Sequence, residues 1–169
     1  IKFRTMTNAK DKDGNLQPDQ DRITKYGQFL RSTSLDEMPE LLNILKGDMA
    51  IVGPRPALWN QYDLIEERDK YGANDVRPGL TGLAQINGRN NITWEQKFEY
   101  DLEYIEKITF IGDVKIILQT VGKVLKRSDT VREGTVSDMD FGDWLMMNGK
   151  VDKATYDEKQ EEARELLKI

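Results

Sequence analysis

Apolar residues recur at helical spacing along much of the chain. Between Ile23 and Leu30 they fall at Ile23, Tyr26, Phe29 and Leu30, and between Leu35 and Leu45 at Leu35, Met38, Leu41, Leu42 and Leu45. Both stretches predict amphipathic helices facing one core. A further helix is expected from Leu58 to about Tyr71. Trp94 to Ile108 repeats the period, with Trp94, Phe98, Leu102 and Ile105 on one side and Asp101 and Glu103 beside them. After a turn expected at Gly112-Asp113, residues 114–126 read as another helix that ends in Lys123, Lys126 and Arg127.

Strand signals are short. Residues 1–6 alternate charged and apolar character, which suits a strand or an extended segment, and Met49-Ala50-Ile51-Val52 is β-prone after the Gly47-Asp48 turn. Residues 8–22 are polar, carry Asp13-Gly14 and Pro18, and read as a mobile loop. Their acids lack the closing Glu of a calcium-binding EF-hand loop. Residues 77–90 hold glycines, a proline and two arginines, and read as a loop with some strand rather than a core element. The sum is an α+β class, mostly helical, with a few short strands and long ordered loops. The domain reading is 1–134 as the main body and 135–169 as a C-terminal helical appendage, with Gly149 in the turn between its two halves.

One helix start has two readings. Ser34 and Glu37 have the spacing of a capping box, and acids in a first turn suit the helix dipole. In that register Pro39 is the fifth helical residue and strains the turn; with Asp36 as the cap it is the third and loses no intrahelical bond. The Ser34 start is the reading adopted, with Pro39 bending or stiffening the turn that carries Asp36.

Composition narrows the chemistry. The 169 residues include no cysteine and no histidine, so disulfides, thiolate nucleophiles, imidazole bases and zinc-cysteine sites are excluded. Catalysis must run on carboxylates, Lys, Arg, Tyr, Ser or Thr. With 25 basic against 30 acidic residues there is no overall basic character that would draw the chain to nucleic acid. The apolar run from Ile105 to Leu118 is interrupted by Lys107, Asp113 and Lys115 and does not have the character of a membrane span, so the fragment reads as soluble.

Four features carry candidate chemistry: the adjacent acids Asp36-Glu37, Arg31 ahead of them, the stiff Gly53-Pro54-Arg55-Pro56, and the Gly/Arg loop from Arg77 to Arg89. A carboxylate pair can hold magnesium or act as a nucleophile, while fixed guanidinium groups and loop amides suit phosphate oxygens. Singly, each has a plainer explanation: a helix cap, a rigid surface loop, a turn. Together they describe a phosphoryl-transfer site.

As a set, FRTM, GQFLRSTSLDEMPELLNILKGDMAIVGPRPAL and RPGLTGLAQINGRN resemble the bacterial sugar transferases, or monotopic phosphoglycosyl transferases, from residue 1 to about Gly134. The resemblance implies transfer of a sugar 1-phosphate from a UDP-sugar to polyprenyl (undecaprenyl) phosphate, with release of UMP and a need for Mg2+. It implies that Asp36 forms a covalent phosphosugar intermediate and that Glu37 serves the metal. By family position, Arg31, Arg55 and Arg77 are phosphate-binding candidates, followed by Lys2, Gln85 and Arg89. Asp113 matches a recurrent family acid and is expected to support the metal or the dyad.

The same resemblance places the full-length protein at the cytoplasmic face of the bacterial inner membrane, in capsule, O-antigen, exopolysaccharide or glycoprotein glycan assembly. Family members carry an N-terminal membrane re-entrant helix ahead of FRTM, and nothing in this sequence corresponds to it. Without it, apolar faces in Ile105–Leu118 and Trp144–Met147 are expected to be exposed and to favour self-association, and a homodimer is compatible with this. Two other classes use the same residues: a nucleotide-sugar-binding module without turnover, against which the intact dyad argues, and a soluble metal-dependent nucleotide-sugar hydrolase.

Overall fold

The computed structural model describes residues 2–14, 17–58, 61–88, 92–126 and 140–166. The chain divides into two compact units, Ile1–Arg55 with Arg77–Asp138, and Pro56–Val76 with Met139–Ile169. The second joins residues 56–76 to the C-terminal segment that the sequence set apart. The architecture is mostly helical α+β, as expected, with a two-stranded sheet.

In the first unit the described elements are α1 (Asp19–Arg22), α2 (Lys25–Ser32), a 3-10 turn (Leu35–Glu37), α3 (Glu40–Lys46) and β1 (Ala50–Val52). After an excursion into the second unit, whose helix Tyr62–Asp69 is α4, come β2 (Gly79–Thr81), α5 (Leu83–Ile86), α6 (Trp94–Glu106) and α7 (Phe110–Lys126). β1 and β2 run parallel, with Ala50 opposite Gly79 and Val52 opposite Thr81. Their close approach depends on glycine. A Cβ on Gly79 would lie 2.1 Å from the Gly53 nitrogen, and one on Gly53 would lie 2.5 Å from the Arg77 carbonyl oxygen.

The core gathers on this small sheet. Val52, Ile86, Tyr104 and Ile116 form a buried cluster, with Leu83, Ile105 and Ile117 packed against it. The Thr120 hydroxyl donates to the Ile116 carbonyl at 2.8 Å, so the Thr81 hydroxyl, 2.7 Å away, donates to Thr120 and ties β2 to α7. Residues 77–88 are therefore partly core, since Gly79, Thr81, Ala84 and Ile86 are buried. The expectation of a loop outside the core fails because small residues there let the backbone itself pack.

Further expectations change. The Leu35–Leu45 stretch does not form one helix, because Ser34 turns left-handed at φ 56° and Pro39 occupies the N-cap of α3. Ser34 makes no side-chain capping bond, so the expected capping box is absent and the acids sit on a separate 3-10 turn. α7 runs through Gly112-Asp113, the turn having moved upstream, and the Thr109 hydroxyl accepts from the Gly112 amide at 3.1 Å. On α6 the buried positions are Trp94, Asp101 and Tyr104, whereas Leu102 is exposed. That helix does start in a capping box, between Thr93 and Gln96. Residues 8–22 include the short helix α1, and the N-terminal segment is pinned by an isolated antiparallel bridge between Met6 and Ile23.

The second unit packs α8 (Phe141–Met147) and α9 (Lys153–Leu166) with α4. Gln61 donates to Asp140 at 2.8 Å, Tyr156 donates to Asp143 at 3.0 Å, and Lys159 pairs with Asp63 at 3.6 Å and with Glu66. Gly149 at φ 65° makes the turn between α8 and α9, as expected from sequence. Phe110, Ile111, Leu118 and Met147 are exposed as anticipated, whereas Trp144, Leu145 and Met146 are half-buried. Among the described residues no helix is long and apolar enough to cross a membrane.

Candidate functional site

The dyad stands between two pieces of backbone that are not its own helix. Upstream, α2 begins with the Thr24 hydroxyl accepting from the Gly27 amide at 2.9 Å, and residues 3–7 lie across it. Phe3 donates its amide to the Asp36 carbonyl at 3.0 Å, which joins the N-terminal segment to the 3-10 turn. Downstream, Gly53 and Pro54 extend the pairing of β1 and β2, with Gly53 N–H to Thr81 carbonyl at 2.9 Å and Gly79 N–H to Pro54 carbonyl at 2.8 Å. Flanking prolines then restrict how Arg55 leaves the strand.

These two pieces deliver cations to one acid. Glu37 Oε1 is 3.0 Å from Lys2 Nζ and 3.1 Å from Arg55 Nη2. The Glu37 side chain is 12% exposed, and those of Lys2 and Arg55 are 41% and 43% exposed. Asp36, the preceding residue, is half-buried, and among the described residues its carboxylate has no hydrogen bond or ion pair. One acid is thus held by two cations while its neighbour remains available as a nucleophile or metal ligand.

The other expected residues fall in several places. Arg31 is on α2 and donates from Nε to the Thr5 hydroxyl at 3.0 Å. Arg77 is exposed just before β2. Gln85, on α5, has both carboxamide atoms buried and, among the described residues, without a hydrogen-bond partner. It lines a cavity of about 470 Å³ that Glu37, Arg55 and Thr120 also reach, with Leu80 and Val121 among its apolar walls. Arg89 lies outside the described residues. Asp113 accepts from the Tyr104 hydroxyl at 3.1 Å, with the Val52 carbonyl 3.2 Å from the same hydroxyl. Burial, then the hydrogen bond and charge of Asp113, push Tyr104 up to about 12.

The family model for bacterial sugar transferases matches residues 1–127. The chain belongs to that family. It is 52% identical over 124 residues to EpsL, an uncharacterized sugar transferase of Bacillus subtilis, covering 73% of this chain and 61% of that protein. It is 42% identical over 137 residues to a UDP-glucose:undecaprenyl-phosphate glucose-1-phosphate transferase of Klebsiella pneumoniae, covering 72% of this chain and 28% of that one. It is 41% identical over 118 residues to an undecaprenyl-phosphate galactose phosphotransferase of Salmonella typhimurium, covering 69% and 24%. The chain thus spans under two-thirds of each relative's length.

For this family member, the expected metal set of Asp36, Glu37 and Asp113 does not come together. Among the described residues no three His, Cys, Asp or Glu side chains form a metal-holding group. Magnesium needs no such cage: one or two carboxylates completed by substrate phosphates and water suffice, and the adjacent Asp36 and Glu37 fit that pattern. The sequence reading overlooked Glu40, which is buried with its Oε1 3.3 Å from Lys2 Nζ. Its signal was there, as the third acid of Asp36-Glu37-Met38-Pro39-Glu40.

Proposed function

We propose that this chain carries the catalytic apparatus for moving a hexose 1-phosphate from a UDP-hexose to undecaprenyl phosphate, in bacterial polysaccharide assembly at the cytoplasmic face of the inner membrane. The observation that carries this reading is the Asp36 carboxylate, without an ion pair among the described residues, beside Glu37, which Lys2 and Arg55 hold. Family membership and the relatives' names support donor and acceptor at the level of UDP-glucose or UDP-galactose and undecaprenyl phosphate.

The reaction balances in two displacements at one phosphorus. An Asp36 carboxylate oxygen attacks the β-phosphorus of the donor, the bond to the bridging oxygen breaks, and UMP leaves with that electron pair. A phosphate oxygen of the acceptor then attacks the same phosphorus, the bond from that phosphorus to the Asp36 oxygen breaks, and Asp36 is regenerated as carboxylate while a polyprenyl diphosphate sugar departs. No proton relay is needed, which suits a chain without histidine.

Arg55 and Lys2 supply positive charge where phosphate oxygens accumulate negative charge, and such fixed charges are usually the largest contribution in phosphoryl transfer. Arg31 and Arg77 are further phosphate-binding candidates. Asp36 and Glu37 would hold magnesium, which when bound neutralises charge on the transferring group.

The test is intact-mass spectrometry of the protein mixed with UDP-glucose or UDP-galactose, with and without EDTA, followed by undecaprenyl phosphate and measurement of UMP. A magnesium-dependent hexose-phosphate adduct that transfers to the acceptor is expected. Asp36→Asn should form no adduct and lose transfer, because an amide cannot make the acyl phosphate. An adduct that persists in Asp36→Asn rules out the assigned nucleophile. UMP release by water alone, without acceptor dependence, marks a hydrolase instead.

A further inference from the structure

Glu40 has no assigned role, yet it is the most buried acid near the dyad. It is the first residue of α3 and is 4% exposed. Among the described residues its side chain has one partner, Lys2 Nζ at 3.3 Å, and that same ammonium is 3.0 Å from Glu37. Burying a carboxylate costs several kcal/mol unless a cation or hydrogen-bond donors compensate, so Glu40 is a fixed demand for positive charge. Lys2 is the opposite: a flexible stem, 41% exposed, on a segment without regular structure.

A single exposed ion pair, from Lys2 to Glu37 alone, is worth about 0–1 kcal/mol and would leave the ammonium largely mobile. Two carboxylates on neighbouring turns, one of them deep in the fold, define one position for it. Arg55 also reaches Glu37, but among the described residues Lys2 is the cation that both acids share.

We propose that Glu40 is a positioning residue: its buried carboxylate anchors the Lys2 ammonium against Glu37 and keeps that charge beside Asp36. The kinetic consequence rests on the proposed transfer reaction. The geometry does not.

The test uses the full chain with Glu40→Gln, Lys2→Met, Lys2→Arg and the double variant Glu40→Gln/Lys2→Met. The first readout is the acetylation rate of Lys2 by an N-hydroxysuccinimide ester, followed by peptide mass spectrometry, with exposed Lys107 as internal reference. The second is kcat and KM for UMP release.

Glu40→Gln should raise Lys2 acetylation about fivefold relative to Lys107 and lower kcat about tenfold with KM changed less than about twofold. The double variant should be no slower than Lys2→Met, and Lys2→Arg should retain most of the rate that Lys2→Met loses. Unchanged Lys2 acetylation in Glu40→Gln, or an unchanged kcat despite faster acetylation, overturns the proposal. If Glu40→Gln does not fold, equal rates in Lys2→Arg and Lys2→Met overturn it. If the wild-type chain turns over no UDP-hexose, the functional reading fails while the acetylation comparison still decides whether Glu40 holds Lys2.

Discussion

Gly27→Ala sets two known effects against each other. Inside an exposed helix the change is stabilising by about 1 kcal/mol, because alanine is the better helix former. At Gly27, however, a Cβ would lie 2.0 Å from the Thr5 carbonyl oxygen, 2.8 Å from its carbon and 2.9 Å from its Cα. All three are backbone atoms that no rotamer change can remove. Restoring an ordinary contact of about 3.5 Å means moving residue 5 by more than about 1 Å.

That shift breaks the bonds to Thr5 oxygen from Thr24 N–H at 3.2 Å and Thr24 hydroxyl at 3.3 Å, and from Arg31 Nε to the Thr5 hydroxyl at 3.0 Å. At about 1 kcal/mol each they outweigh the helix gain, for a net loss of about 2 kcal/mol. In a domain of this size that lowers Tm by about 4–8 °C, measurable by far-UV circular dichroism. Phe3 and Lys2 move with Thr5, so transfer activity should fall further than stability alone explains. A Tm that rises by about 2–4 °C, the result for a solvent-facing helical glycine, refutes the close approach.

Tyr104→Phe leaves the Val52 carbonyl and Asp113 without the phenol and should cost about 1–2 kcal/mol near neutral pH. Because burial and Asp113 raise Tyr104 from 10.0 to about 12, folding favours its neutral form. The associated stability is present below about pH 10 and is lost as pH rises through about 12. Denaturation midpoints against pH should fall less steeply in the variant, with Tyr156, also raised to about 12, supplying the remainder; an unchanged profile refutes this. In the second unit, Lys159→Met leaves the buried Asp63 without its cation and should lower stability by about 1–3 kcal/mol. Urea unfolding checks it, and a loss equally large in an Asp63→Asn background would place the effect elsewhere.

Much of the site could be read from sequence because its residues lie close together in the chain: the dyad, Arg55 and the β1 strand are separated by few positions, and apolar spacing marks α2, α3, α6 and α7. What escaped depends on contacts between distant residues or on backbone conformation. A serine at positive φ carries no sequence signal comparable to glycine, so the break between the 3-10 turn and α3 was hidden. Glu40 was overlooked because its partner, Lys2, lies far upstream in the chain. The 77–90 stretch read as a loop with some strand, and β2 is that strand; its place in the core was hidden because glycine, which usually marks turns, here permits two strands to touch.

The division into units also sets an order of assembly. β1 and β2 are hydrogen-bonded neighbours, yet residues 56–76 leave between them to join a unit completed by the C-terminal segment. During synthesis α4 is complete about seventy residues before α8 begins and about eighty-four before α9 begins, the helices on which it packs. Residues 56–76 therefore wait for partners made much later in the chain, and Asp63 and Glu66 for Lys159.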